Sequence, residues 1–147
     1  MSSKTDNSAA QYAYSMKIPR IFTDENDQSA WGTVTVPLGI NLGEIGTMSE
    51  WCTSNKFRFR VTPGSYDFDW HNAPREQLIV MLDAAVECRT ERDGARIVNK
   101  GEILFVQDTT GKGHKSRAVN GELRHSLFID VSRENLESIG CIFSDEA

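Results

Sequence analysis

The sequence predicts an all-β fold of the sandwich or barrel type. Residues 56–61 (Lys-Phe-Arg-Phe-Arg-Val) alternate apolar and polar side chains, and residues 30–37 do so less cleanly before a closing proline. Strands with one buried face have this period of two. Two dipeptides, Asp93-Gly94 and Asn120-Gly121, indicate tight turns, because Asn, Asp and Gly tolerate positive φ. Many short strands at close spacing predict a sandwich or a barrel.

Further strands follow from composition and from the turn residues between them. The predicted strands are 77–82, 85–89, 95–98, 102–106, 117–119 and 125–131. Only two stretches suit a helix, residues 44–51 and residues 133–139, and the second follows Ser132, which can cap a helix N-terminus.

The 147 residues suit a single domain. Residues 1–17 are polar and predict a flexible leader. Residues 18–147 then form one domain, in which the barrel itself covers about 57–131.

Charge and composition exclude several classes of partner. The net charge of −5 is spread along the chain, whereas binding a nucleic-acid backbone needs clustered Lys and Arg. No apolar run approaches the roughly 18–20 residues of a membrane span. We therefore expect a protein with neither a nucleic-acid nor a membrane partner.

The cysteines point to a reducing compartment. Cys52, Cys88 and Cys141 lie far apart without C-x-x-C spacing, and their odd number leaves at least one unpaired. This usage favours reduced thiols and a cytoplasmic location. Cys88 lies in a predicted strand, where we expect a small core residue.

Two of the three histidines occur in the most distinctive stretches, 66–77 and 107–117. If the chain around His71 is extended, Asp67, Asp69 and His71 point to one side and Phe68 and Trp70 to the other. Two carboxylates and an imidazole on one face can act as acid, base or metal ligand. In the second stretch, glycines form a tight turn that delivers His114 to the next strand.

These stretches resemble the two motifs of the cupin superfamily. Its first motif reads H-x-H-x3-4-E, and here His71 takes the first histidine while Gln77 falls at the glutamate, with Pro74 where cupins often place a proline. Its second motif contains G-x2-H, which Gly111-Lys112-Gly113-His114 fits. The resemblance implies a cupin-type jelly-roll barrel with an N-terminal extension, residues 18–54, that wraps the barrel or pairs with a second subunit. It also implies a homodimer.

The departures from the cupin motifs bear on metal binding. In the preferred alignment Ala73 replaces a histidine and Gln77 replaces the glutamate, so only His71, Gln77 and His114 remain, and they would hold Fe, Mn or Zn weakly. An alternative alignment supplies Asp69, His71, Glu76 and His114, a fuller ligand set. We expect either no cofactor or a weakly bound divalent metal.

The walls of the expected pocket follow from the strand phase. Alternation puts Phe57 and Phe59 on one face of residues 56–61 and the arginines between them on the other. We predict that the phenylalanines point inside and that the arginines face solvent or a partner subunit. The predicted substrate contacts are Trp70, Phe59, Met81 and Lys112. The cations that would meet an anionic substrate, if they faced the pocket, are Arg58, Arg60, Arg75 and Lys112.

Three functions fit this chemistry. The first is an enzyme that moves protons on a small, largely apolar molecule: an isomerase, cyclase, lyase or dehydratase. In it His71 and His114 are acid and base, Gln77 orients the substrate or holds an oxyanion, and Asp69 sets a histidine tautomer. The second is a metal-dependent oxygenase using the alternative ligand set. The third is a metabolite-binding protein without turnover. His125 lies outside both motifs and is expected to be structural.

Overall fold

The computed structural model of the protein describes residues 14–147, and its secondary structure is almost entirely β. Thirteen strands lie in this part of the chain. Their bounds are β1 Ser15–Thr23, β2 Ser29–Pro37, β3 Ile40–Asn41, β4 Thr47–Met48, β5 Lys56–Thr62, β6 Asp67–His71, β7 Gln77–Met81, β8 Val86–Thr90, β9 Gly94–Val98, β10 Ile103–Val106, β11 His114–Ala118, β12 Arg124–Asp130 and β13 Ile142–Ser144.

Two sheets form the barrel, and their strand order is that of a jelly roll. The larger sheet has the order β13-β2-β1-β10-β7-β12-β5, and the smaller has β6-β11-β8-β9. From β5 to β12 the chain alternates between the sheets at every step except β8 to β9. This double Greek key defines the jelly roll, so the predicted all-β, cupin-type barrel fold is confirmed.

The first part of the predicted N-terminal extension, β1 and β2, joins the larger sheet, whereas β3 and β4 form a separate two-stranded sheet. β1 pairs in parallel with β10 and in antiparallel with β2, and β13 adds to the far side of β2. Residues 15–17, which we assigned to the leader, are the first residues of β1. The rest of the predicted leader, residues 1–13, lies outside the described residues.

A buried arginine ties this added part of the sheet together. Arg20 on β1 is 1% exposed and bonds to the Ser144 carbonyl (3.1 Å), the Gln107 side chain (2.7 Å) and the Asp145 carboxylate (2.7 Å). Its guanidinium also lies 3.9 Å from the Phe22 ring centroid. Burial lowers the pKa of Arg20 to about 10, so it remains charged at neutral pH.

Of the two predicted helices, one forms. Helix α1, Arg133–Ser138, begins after Ser132, whose hydroxyl accepts a bond from the Asn135 amide. The helix predicted over 44–51 is wrong, because this segment holds a 3-10 turn, Gly43–Ile45, and the short β4. Gly43 and Gly46 both adopt positive φ, a conformation that an α-helix cannot contain.

Strand bounds and turns agree with the sequence more closely. β7 to β10 and β12 begin and end within one residue of the prediction, whereas β11 begins three residues early, at His114. Gly94 adopts positive φ between the paired strands β8 and β9, as predicted. Asn120 and Gly121 also adopt positive φ, but their turn connects strands of different sheets, β11 and β12, and forms no hairpin.

Two apolar clusters lie on the two faces of the larger sheet. The cluster between the sheets contains Trp31, Met81, Leu104 and Cys88, which is 2% exposed, so the core position expected for this thiol is confirmed. The second cluster packs Leu136 of α1 on the outer face of the sheet. Within residues 14–147 no helix has the length and apolarity that crossing a membrane requires.

Candidate functional site

A cavity of about 680 Å³ opens between the two sheets, a size common for small-molecule sites. Strands of both sheets supply its walls. Its lining consists of Lys56, Phe57, Arg58, Arg60, Tyr66, Phe68, His71, Asn72, Ala73, Pro74, Arg75, Gln77, Ile79, Met81, Val86, Cys88, Leu104, Val106, His114, Ser116, Arg124, Phe128 and Asp130.

The two motif histidines meet in this cavity. His71 ends β6 and His114 begins β11, and the antiparallel register places them opposite each other. Their ring centroids are 4.5 Å apart, with 53° between the ring planes. Gly113 makes this approach possible, because it adopts φ +81° and because a Cβ there would overlap the His71 carbonyl.

Each histidine is held through its Nδ1 atom. His71 Nδ1 lies 2.7 Å from the Asp69 carbonyl oxygen, which can only accept, so His71 carries a proton on Nδ1. His114 Nδ1 lies 2.5 Å from Oδ2 of Asp108, whose carboxylate is fully buried. Both rings therefore have Nε2 left for a ligand.

The two motifs also hold each other in place away from the rings. The Asn72 side chain donates to the carbonyls of Thr110 (2.9 Å) and Gly111 (2.8 Å). The Ala73 amide donates to the Asp108 carbonyl at 3.1 Å. These bonds fix the loop that carries Asp108 against the strand end that carries His71.

His71 is tuned toward its neutral form. Burial is the largest cause that lowers its pKa below the ordinary value of 6.5, and the neighbouring His114 and Arg60 lower it further. The bond to the Asp69 carbonyl and the charge of Asp108 act in the opposite direction without cancelling the shift. A neutral His71 with a proton on Nδ1 presents a basic Nε2.

Some predicted site residues reach the cavity and some do not. His71, His114, Gln77 and Met81 line it. The Asp69 carboxylate is 86% exposed and lies 3.9 Å from the Lys115 ammonium, so Asp69 contacts His71 through its backbone carbonyl alone.

Two of the predicted substrate contacts, Trp70 and Lys112, pack against each other and are not among the residues that line the cavity. The Lys112 ammonium lies 4.4 Å from the centroid of the Trp70 ring. Simple alternation does not hold along this part of β6, because His114 stands opposite His71 whereas Ser116 stands opposite Phe68, a register shift of the kind that a β-bulge produces.

The prediction that the β5 phenylalanines point inside is wrong. Phe57 and Phe59 are 64% and 76% exposed, and only Phe57 reaches the cavity rim. Arg58 and Arg60 line the cavity instead. The strand register explains why the arginines point inside, because they stand opposite the inward-facing Phe128 and Ser126 of β12. The Arg60 guanidinium lies 5.3 Å from the Phe128 ring centroid.

The cavity residues do not fit the metal site that the cupin motifs imply. Among residues 14–147, no group of three or more His, Cys, Asp and Glu side chains could hold a metal ion. Glu76 of the alternative ligand set accepts bonds from the Arg133 amide (2.9 Å) and the Gln107 side chain (3.0 Å), and Asp69 points away. The remaining His71, Gln77 and His114 offer two imidazoles and an amide, fewer good ligands than zinc sites use.

Four site residues were not predicted from the sequence. Asp108 is the buried partner of His114, and its position six residues before that histidine in the same loop was a signal. Tyr66 and Ser116 join their hydroxyls at 2.5 Å in the cavity wall. Arg124 is 4% exposed and also lines the cavity, and its place in an alternating strand gave no warning of a buried charge.

No protein-family model and no curated protein matches the chain. Several solved structures resemble it in fold. One is a protein from Neisseria meningitidis, with 15% identity and a TM-score of 0.42, covering 57% of this chain and 86% of that one. Another is a cupin-2 domain-containing protein from Shewanella frigidimarina, with 17% identity and a TM-score of 0.40, covering 60% of this chain and 86% of that one. At this identity the likeness concerns the fold alone, and it is the order of this chain's own strands that makes it a cupin-type jelly roll.

Proposed function

We propose that the protein is an enzyme that moves protons on a small metabolite, in the manner of an isomerase, cyclase, lyase or dehydratase. One observation carries the proposal: two imidazoles, each anchored at Nδ1, stand 4.5 Å apart in one cavity. Two such groups can remove a proton at one atom of a bound molecule and return a proton at a neighbouring atom.

The two histidines have different surroundings, and these assign their roles. Nε2 of the neutral His71 is the base that takes a proton from a C–H bond of the substrate. His114 is the acid, because the buried Asp108 carboxylate can stabilise an imidazolium there. The electron pair of the broken C–H bond forms or shifts a double bond. The proton from His114 then goes to the far carbon of that double bond, or to a departing hydroxide, which leaves as water.

Gln77 and the apolar walls position the substrate. The Gln77 amide lines the cavity with His71 and His114 and can bond to an oxygen that gains charge in the transition state. Ile79, Met81 and Leu104 supply apolar surface beside it. The cavity residues do not fit a divalent-metal site, and the proposed proton transfers use the side chains of the protein alone.

Solvent deuterium tests the proposal. The full-length protein would be incubated in D₂O with a library of small hydroxy and unsaturated compounds, and deuterium on carbon would be measured by mass spectrometry. We expect incorporation into at least one compound, lost in His71→Ala and His114→Ala and retained in His125→Ala. Incorporation into no compound would leave a binding protein without turnover as the better description, and equal incorporation in all variants would show that His71 and His114 do not move the proton.

We also propose that two copies of the chain associate through β5 and the segment before it. Apolar side chains are strongly exposed there: Trp51 is 99%, Phe59 76% and Ile45 72% exposed. Large exposed apolar patches commonly mark association surfaces. A second copy of the chain, which the cupin resemblance implies, is the proposed occupant.

A further inference from the structure

The inner face of β5 and β12 holds a patch of buried polar atoms without partners. Thr62, Arg124 and Ser126 are 1–4% exposed. Within residues 14–147, the Thr62 hydroxyl, the Ser126 hydroxyl and the Nε and Nη1 atoms of Arg124 have no hydrogen-bond partner. The register makes them neighbours, because Thr62 stands opposite Arg124 and Ser126 opposite Arg60. Burying such groups without a partner costs free energy.

The groups around Arg124 do not neutralise its charge. Cys88 is one neighbouring group, but burial raises its pKa to about 12, so it is a neutral thiol at neutral pH. The Asp83 carboxylate is held by His125, whose Nδ1 lies 2.6 Å from it. Arg60 adds a second positive charge, since both guanidiniums lie over the Tyr66 ring, at 5.6 Å for Arg60 and 5.7 Å for Arg124.

The charge of the cavity differs from that of the chain. The chain carries a net charge of −5, yet the cavity lining contains five Lys or Arg residues and a single carboxylate. That carboxylate, Asp130, is already paired with Arg75 at 3.0 Å. The lining therefore favours an anion.

We propose that the cavity binds a small-molecule carboxylate whose headgroup is held by Arg124 and Arg60. A planar guanidinium can pair with a carboxylate through two parallel N–H···O bonds, and both Arg60 and Arg124 line the cavity. The apolar remainder of the ligand lies against Ile79, Met81 and Leu104. This inference names the substrate class for the proposed proton-transfer enzyme and rests on that function, although the binding itself is measured without turnover.

Matched acids and amides test the inference on the full-length protein. Butanoate, hexanoate and octanoate would be titrated beside the corresponding amides by calorimetry and ligand-observed NMR. We expect at least one carboxylate to bind about tenfold tighter than its amide, a difference of about 1.4 kcal/mol, because only the charged headgroup pairs with the guanidiniums. Arg124→Gln should remove this preference. Arg117→Gln should keep it, because Arg117 is exposed and paired with Glu87.

Further variants make the result decisive. If Arg124→Gln does not fold, Arg124→Lys and Arg60→Gln should each reduce the preference. Equal binding of acids and amides, binding of no carboxylate, or an unchanged preference in the Arg124 and Arg60 variants would overturn the inference. His125→Ala should keep the preference, because His125 is not among the residues that line the cavity. Carboxylate binding without deuterium exchange therefore contradicts the proposed function alone, and exchange without the preference contradicts this inference alone.

Discussion

The carboxylate of Asp108 and the imidazole of His114 form a buried pair, with Oδ2 2.5 Å from Nδ1. The carboxylate is fully buried, and its other oxygen, Oδ1, has no hydrogen-bond partner within residues 14–147. Asp108 therefore fixes the orientation of the His114 ring.

The Asp108–His114 pair leads to the first prediction. Asp108→Asn should lower kcat by about 100-fold or more, because the amide cannot stabilise an imidazolium and can hold the wrong tautomer. KM should change little, because Asp108 does not line the cavity. The measurement is steady-state kinetics on the compound that exchanges deuterium. Asp83→Asn, which alters the carboxylate beside the exposed His125, is the control, and an equal loss in both variants would contradict the role of Asp108.

The second prediction concerns the pH dependence due to His71. Its pKa is lowered from 6.5 mainly by burial, so the His71 imidazole remains unprotonated somewhat below pH 6.5. The acidic limb of kcat/KM should therefore lie below pH 6.5. The sign for stability follows from the same shift. The unfolded chain binds the proton first, so the free energy of unfolding falls as pH drops from 6.5 toward the folded pKa, and this contribution is constant above 6.5.

Comparison with His71→Gln isolates that contribution. The free energy of unfolding of both proteins would be measured with urea above and below pH 6.5. As the solution is acidified, the wild-type protein should lose stability relative to the His71→Gln variant. An acidic limb above pH 6.5, or a difference in stability that does not vary with pH, would show that His71 is not held neutral by burial.

The third prediction tests the close approach of the two motifs. Gly113→Ala should destabilise the protein by about 3 kcal/mol or more, because the residue adopts φ +81° and its Cβ would overlap the His71 carbonyl. Gly39→Ala is the matched control, since a Cβ there would meet nothing within 4 Å. Thermal and urea unfolding of the two variants measure the effect, and equal stability would contradict the observed contact.

The fourth prediction concerns metals. Protein purified without chelator or affinity-column metal should contain much less than one equivalent of Fe, Mn or Zn, because the cavity offers two imidazoles and an amide. Elemental analysis measures the content. Near one equivalent, lost alike in His71→Ala and His114→Ala, would make the metal-dependent oxygenase the leading function.

The fifth prediction concerns association. The double variant Trp51→Glu with Phe59→Glu should halve the mass measured by light scattering, because it charges the exposed apolar surface around β5. Ile142→Glu changes an equally exposed side chain on β13, at the opposite edge of the larger sheet, and should leave the mass unchanged. A wild-type protein of monomer mass would contradict the proposal.

The sequence predicted the strands of the barrel well, because alternation and turn residues are local signals. The motif spacing also predicted that His71 and His114 belong to one pocket, and in the structure both lie at strand ends opposite each other. Which face of β5 points into the cavity could not be predicted in this way. Alternation separates Phe59 from Arg60 but does not say which of them faces inside. That choice depends on the partner strand, where the buried Arg124 and Ser126 share the inner face.

The partners of the site residues were harder to predict still. Asp69 was expected to act through its carboxylate, yet its backbone carbonyl makes the contact, and a sequence carries no signal for a backbone bond. The side chains of Asp108 and Arg124 matter because they are buried charged groups, and their burial depends on strands that are distant in sequence. Motifs therefore located the reacting groups, whereas their electrostatic environment required the folded chain.

The bonds of Arg20 have a consequence for the order in which the protein forms. Its guanidinium reaches partners 124 and 125 positions later in the chain, and the strand that carries it pairs in parallel with β10. During synthesis these contacts cannot close until residues 144 and 145 have emerged, and contacts of such long range slow folding. The edge of β1 that pairs with β10 stays open until residues 103–106 have emerged, and an unpaired strand edge of this kind can pair with other chains and start aggregation.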